Sequence, residues 1–166
     1  DALPISHQHI SINLESADLT SETLPALLSQ KVNHWQLKPA QIALELTERE
    51  FADPKNSAPF IAKYRQAGHS IYIDDFGTGY ANFERLKRLE ADIIKIDGCF
   101  VKDICTDSMD AMIVQSICNM AKTKSLCVVA EYVESAEQRE MLLRFGVDYL
   151  QGYLIGKPLP LTALEA

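Results

Sequence analysis

The stretch Ile71-Tyr72-Ile73-Asp74-Asp75-Phe76-Gly77-Thr78-Gly79-Tyr80 runs from strand-type residues through two adjacent acids into a glycine-rich turn. Branched and aromatic side chains suit a pleated strand, and the glycines suit the turn that ends it. Because side chains alternate between faces along a strand, consecutive carboxylates can turn toward one place only where the strand stops. Asp74 and Asp75 therefore mark a strand end that faces something cationic.

Outward from this stretch, five more apolar, β-branched segments occur: 10–14 (ISINL), 42–46 (IALEL), 93–97 (IIKID), 126–131 (LCVVAE) and 148–153 (DYLQGY). They are separated by about the length of one βα unit. Between them lie helical stripes: Leu24, Leu27, Leu28, Val32 and Trp35; Phe60, Ile61 and Tyr64 before Gly68; Met109, Met112, Ile113, Ile117 and Met120. Ser135 to Gln138 has the form of a capping box, opening a helix through Met141, Leu142 and Phe145 that Gly146 ends. Strand and helix alternate throughout, which predicts an α/β fold with a parallel sheet and helices outside it.

Strand parity sharpens this prediction. One parity is almost wholly aliphatic (Ile10, Ile12, Leu14; Ile42, Leu44, Leu46; Ile71, Ile73; Ile94, Ile96; Val128, Ala130) and predicts the face that packs on helices. The other carries Asn13, Glu45, Asp74, Lys95, Asp97, Glu131 and Gln151, crowded toward C-terminal strand ends. A sheet covered on both sides by helices should be apolar on both faces, so the asymmetry favours a barrel whose C-terminal mouth is the site.

With 166 residues, 47% of them apolar, the chain is long enough to bury a core and reads as a single domain over residues 1–166. A net charge of −7 excludes the basic footprint of a nucleic-acid polymer binder. No apolar run approaches the roughly 20 residues that span a bilayer. Cys99, Cys105, Cys118 and Cys127 lack metal-binding spacing and read as reduced, mostly core thiols.

Singly, the polar residues have ordinary roles: Asp75 capping a turn, Asn13 satisfying backbone, Lys95 pairing with Asp97. As a set, Asn13, Glu45, Glu48, Asp74, Asp75, Lys95, Asp97, Glu131, Glu134 and Gln151 come from the ends of six strands. Carboxylates gathered in a partly desolvated mouth repel one another, and hard divalent cations relieve that repulsion. Oxygen donors without cysteine or clustered histidine select Mg²⁺ or Mn²⁺, in a two-metal arrangement suited to phosphoryl displacement. Asp75-Phe76-Gly77 matches a kinase metal motif in letters alone, because no glycine-rich nucleotide loop or HRD segment precedes it. A Schiff-base role for Lys95 would call for an apolar surround rather than flanking acids.

Six ordered motifs then resemble one family along the whole chain: SINLE at 11–15, ELTE at 45–48, DDFGTGY at 74–80, IKID at 94–97, VAEYVE at 129–134 and QGYLIGKPLP at 151–160. They are similar to the EAL domains, phosphodiesterases of cyclic di-GMP. The resemblance implies a TIM-barrel-like EAL fold and metal-dependent hydrolysis of cyclic di-GMP to linear pGpG. It implies Asn13, Glu45, Asp74, Asp75 and Glu131 as metal ligands, with Asp74 bridging. Lys95, Glu131 and Glu48 then have catalytic roles, Lys95 positioning the nucleophilic water and Glu48 holding the DDFGTGY loop. Gln151 and Asp97 fall on the substrate side, and Glu134 in the layer behind. The family also implies a homodimer, with sensory or GGDEF domains in a parent protein that is cytoplasmic or membrane-anchored with a cytoplasmic EAL domain.

The departures shape the expectation too. The Glu-Ala-Leu signature belongs before Ser11 and is absent, along with the first strand and first helices. What is expected is an N-terminally truncated barrel of about six βα units, with impaired turnover of its own. The alternative is an inactive EAL module serving as a cyclic di-GMP receptor or protein-interaction domain. Tyr132 stands where the family pattern has glycine, and Ile155-Gly156-Lys157 replaces the usual approach to Pro158.

Overall fold

The computed structural model describes residues 9–51, 54–78 and 90–160, which fall into two compact units, one ending at Asp92 and the other beginning at Ile93. In the first, β1 (Ile10–Asn13), β2 (Ile42–Thr47) and β3 (Ser70–Phe76) run side by side and parallel. Helices α1 (Leu24–His34), α2 (Glu48–Phe51) and α3 (Pro54–Gln66) lie between them in sequence. The second unit repeats the scheme with β4 (Ile93–Ile96), β5 (Cys127–Ala130) and β6 (Tyr149–Leu150), again parallel. Its helices are α4 (Gly98–Val101), α5 (Ser108–Thr123) and α6 (Ala136–Phe145). The DDFGTGY motif is described as far as Thr78; Gly79 and Tyr80 lie outside the described residues.

The aliphatic parity builds both cores. Leu44, Leu46, Ile71 and Ile73 are sealed in the first unit with Phe60, Ile61 and Tyr64 of α3, the stripe that the sequence predicts. Ile94, Ile96, Val128 and Ala130 are sealed in the second with Val114, Ala121 and Leu142. Each fully buried branched side chain contributes roughly 1.5–3 kcal/mol.

Three expectations are corrected. Ile10 and Ile12 are 45% and 38% exposed, because β1 has β2 as its one described strand neighbour and its aliphatic face is left uncovered. On α5 the buried face is Val114, Ile117, Cys118 and Ala121, while Met109 and Met112 stand in solvent in its first two turns. Cys99 and Cys105 are exposed rather than core, and all four thiols are free.

Helix ends follow local chemistry. Ser135 and Gln138 form the reciprocal capping box, and Gly146 ends α6 in the left-handed conformation at φ +89°. Asp107 caps α5 by accepting from Met109 N–H at 2.7 Å. The N-terminal strand ends are tied by aspartates. Asp92 Oδ2 accepts from Ile71 N–H at 2.8 Å and Asp148 Oδ2 from Val128 N–H at 2.7 Å, while each aspartate N–H donates back to the same residue's carbonyl.

Candidate active site

In the first unit the register decides which side chains share a face. Asn13 pairs with Glu45, Glu45 with Tyr72, and Thr47 with Asp74. Paired positions, and positions two apart, project to the same side of a sheet, so Asn13, Glu45 and Asp74 lie on one face toward the C-terminal strand ends. Glu45 is buried there and Asn13 exposed. Alternation alone would send Asp75 to the other side. Its φ of +53° departs from extended geometry, and carboxylate oxygens of Asp74 and Asp75 come within 4.8 Å of each other. The strained residue is thus where the chain converts two alternating acids into a pair.

Glu48 is placed by a device the sequence reading missed. Thr47 and Glu50 close a capping box at the start of α2: Glu50 Oε2 accepts from Thr47 N–H at 3.0 Å and from Thr47 Oγ1 at 2.6 Å. The signal was the Thr-x-x-Glu spacing at 47–50. That turn buries Glu48, whose Oε2 accepts from Gly77 N–H at 2.9 Å. Its Oε1 is buried with no hydrogen-bond partner among the described residues. Gly77 has φ +107°, a conformation glycine adopts without strain.

In the second unit Lys95 and Glu131 meet. Lys95 Nζ lies 2.8 Å from Glu131 Oε1, with the lysine almost wholly covered and the glutamate partly so. Glu131 N–H donates to Ile96 O at 3.2 Å, continuing the β4–β5 pairing one step past the strand. Asp97 caps α4, its Oδ1 accepting from Cys99 N–H at 2.7 Å. Local desolvation of the sulfur first, although the residue as a whole is exposed, then the hydrogen bond and charge of Asp97, push the Cys99 thiol up to about 12.

Gln151 is held by backbone. Its N–H donates to Ala130 O at 2.9 Å, and its carbonyl accepts from Val133 N–H at 3.0 Å. Glu134 is exposed, with its N–H bonded to Gln138 Oε1 at 2.7 Å. Two cavities flank Glu131. One, of about 380 Å³, is lined by Asp97, Gly98, Cys99, Lys102, Glu131 and Tyr132. The other, of about 520 Å³, includes Glu131, Tyr132, Glu134, Gln151, Tyr153 and Lys157. Lys157 Nζ lies 5.2 Å from the Tyr153 ring centre, a cation–π contact. The structure thus brings Asn13, Glu45, Asp74 and Asp75 onto neighbouring strand ends in one unit, and Lys95, Asp97, Glu131 and Gln151 in the other.

Parallel strands separated by helices, with acids and a buried lysine at their C-terminal ends, define an α/β protein of the TIM-barrel-like class. More narrowly, a family model for the EAL domain matches residues 2–158, and the chain belongs to that family. It is 55% identical over 153 residues to the probable cyclic di-GMP phosphodiesterase PdeB of Escherichia coli (strain K12), covering 92% of this chain and 29% of that protein. Among solved structures it resembles the PaMucR phosphodiesterase in its c-di-GMP complex (TM-score 0.88, 37% identity, 94% of this chain and 64% of the other). It also resembles Klebsiella pneumoniae BlrP1 in a manganese/cy-diGMP complex (TM-score 0.84, 31% identity, 92% and 39%). The chain spans less than a third of the length of the curated relatives it matches. Among the described residues no helix is long and apolar enough to cross a membrane.

Proposed function

We propose that this chain is the phosphodiesterase part of its protein, hydrolysing cyclic di-GMP to linear pGpG with two divalent cations, Mg²⁺ or Mn²⁺. The observation that carries the reading is the acidic pair at the end of β3, with Asp74 and Asp75 oxygens within 4.8 Å of each other in a chain of EAL type. An all-oxygen donor set of Asn13, Glu45, Asp74, Asp75 and Glu131 fits hard divalent ions. Bound there, such ions supply Lewis-acid stabilisation of the phosphoryl group and of the attacking and leaving oxygens.

The remaining chemistry belongs to side chains. Water adds across one phosphodiester: its oxygen forms the new bond to phosphorus, and the ribose oxygen departs with the electron pair and gains a proton. Lys95 positions that water, and Glu131 fixes the ammonium that does so. Glu48 holds the turn after Asp75 through Gly77 N–H. Gln151 and Asp97 contact the substrate from the ends of β6 and β4. Residues 1–166 form part of one EAL domain, and the protein works as a homodimer beside sensory or GGDEF domains; the family resemblance supports these last points.

Incubating the full-length protein with cyclic di-GMP and Mn²⁺ yields pGpG. EDTA abolishes the yield, and either Mn²⁺ or Mg²⁺ restores it. Asp74→Asn lacks turnover, because a neutral amide is a poor bridging ligand. Ligand binding without turnover in the wild type would instead support the receptor reading, and full turnover in EDTA would overturn the two-metal one.

A further inference from the structure

Tyr132 has φ +60°, a left-handed backbone that residues bearing a Cβ occupy at a cost. Packing does not explain it, since the side chain is 50% exposed. The surroundings are arranged to admit it: a Cβ built on Gly98 would lie 2.7 Å from Tyr132 Cβ and 3.2 Å from its Cγ. Only a glycine at 98 leaves room for the ring's root. Tyr132 is also a shared wall of the two cavities beside Glu131, of about 380 and 520 Å³. Glu131 in turn holds Lys95 at 2.8 Å.

A strained, half-exposed ring, seated on a glycine and adjacent in sequence to the site's glutamate, is suited to a flat apolar group. Strained backbone of this kind gathers where ligands are held. The cavity walls carry Lys102 and Lys157, which suit the charged part of an anionic ligand, while a heterocyclic base stacks on an aromatic face regardless of charge. We propose that Tyr132 is a specificity-determining residue, whose ring stacks on a guanine base of the cyclic dinucleotide while the phosphodiester lies toward Lys95 and Glu131. This rests on the reading that the chain binds cyclic di-GMP, and adds which side chain recognises a base.

The test uses the full-length protein. Binding of cyclic di-GMP is measured by calorimetry with Ca²⁺, hydrolysis with Mn²⁺, and stability by thermal unfolding. Losing one base–aromatic stack weakens binding about tenfold. Tyr132→Gly is expected to raise Kd and KM about tenfold, to leave kcat within about twofold, and to keep or raise Tm because glycine relieves the positive φ. Tyr132→Leu keeps the bulk without the π face and shows the same loss of binding, while Tyr132→Phe stays within about twofold of wild type. Wild-type Kd in both Tyr132→Gly and Tyr132→Leu overturns the proposal, as does a fall in kcat at unchanged KM. A wild type that binds no cyclic di-GMP fails earlier, at the functional reading itself.

Discussion

Lys95 Nζ contacts Glu131 Oε1 at 2.8 Å, joining the middle of β4 to the residue just past β5. The pair is mostly covered, so its two halves are not equivalent to two surface charges. Removing one partner of a buried pair costs more than replacing both with apolar residues, typically ~3–5 kcal/mol when the pair is dry. With Glu131 partly exposed, Lys95→Met is expected to lose about 2 kcal/mol in urea unfolding and to abolish turnover. The double variant Lys95→Met/Glu131→Leu recovers stability but not activity. Equal stability of the single and double variants would separate this contact from folding.

Glu48 tests whether the turn after Asp75 depends on one carboxylate. Its Oε2 accepts from Gly77 N–H at 2.9 Å from a buried position. Glu48→Gln keeps the shape and replaces a charge-assisted acceptor with a neutral one, worth about 1–2 kcal/mol. It should lower kcat more than tenfold with a modest loss of stability, while Glu48→Ala loses both. Wild-type kcat in Glu48→Gln would show that the turn holds itself.

Gly152 is where two backbones approach closely. A Cβ there would lie 2.3 Å from Val133 N and 2.4 Å from Val133 O. Those atoms bond to Gln151 O and Leu154 N–H, both at 3.0 Å. Gly152→Ala must push apart the two backbone segments that follow β5 and β6 and is expected to cost about 3 kcal/mol, or roughly 6–12 °C in Tm. The shift is measured by differential scanning calorimetry, and an unchanged Tm would contradict the close approach.

Cys99 should be the slow thiol of the exposed pair. With its pKa raised to about 12 by local desolvation of the sulfur and then by Asp97, it stays protonated at pH 8, and the thiolate is the reactive form. Peptide mapping after iodoacetamide treatment at pH 8 is expected to find Cys105 labelled well before Cys99. Asp97→Asn removes the hydrogen-bonded charge and speeds labelling of Cys99. The folded thiol holds its proton more tightly than the unfolded one. Its contribution to stability is therefore full below about 9 and lost as pH rises toward about 12.

Residue order alone determined the alternation of strands and helices, the aliphatic parity that fills both cores, and the α6 capping box from Ser135 to Gln138. It did so because these depend on spacing and on side-chain chemistry within a few residues. Local order also carried the Thr47–Glu50 capping box, which went unread beside the stronger strand signal. Tertiary structure alone decided which face of α5 is buried, since Met109 and Val114 are both apolar and only the packed partner chooses between them. It also decided that Ile10 and Ile12 stay exposed, because burial depends on what lies opposite a strand. The same holds for the left-handed turns at Asp75 and Tyr132. An aspartate tolerates φ near +55° better than a tyrosine does, but extended or helical backbone remains the default of both, and surrounding contacts must select the left-handed one.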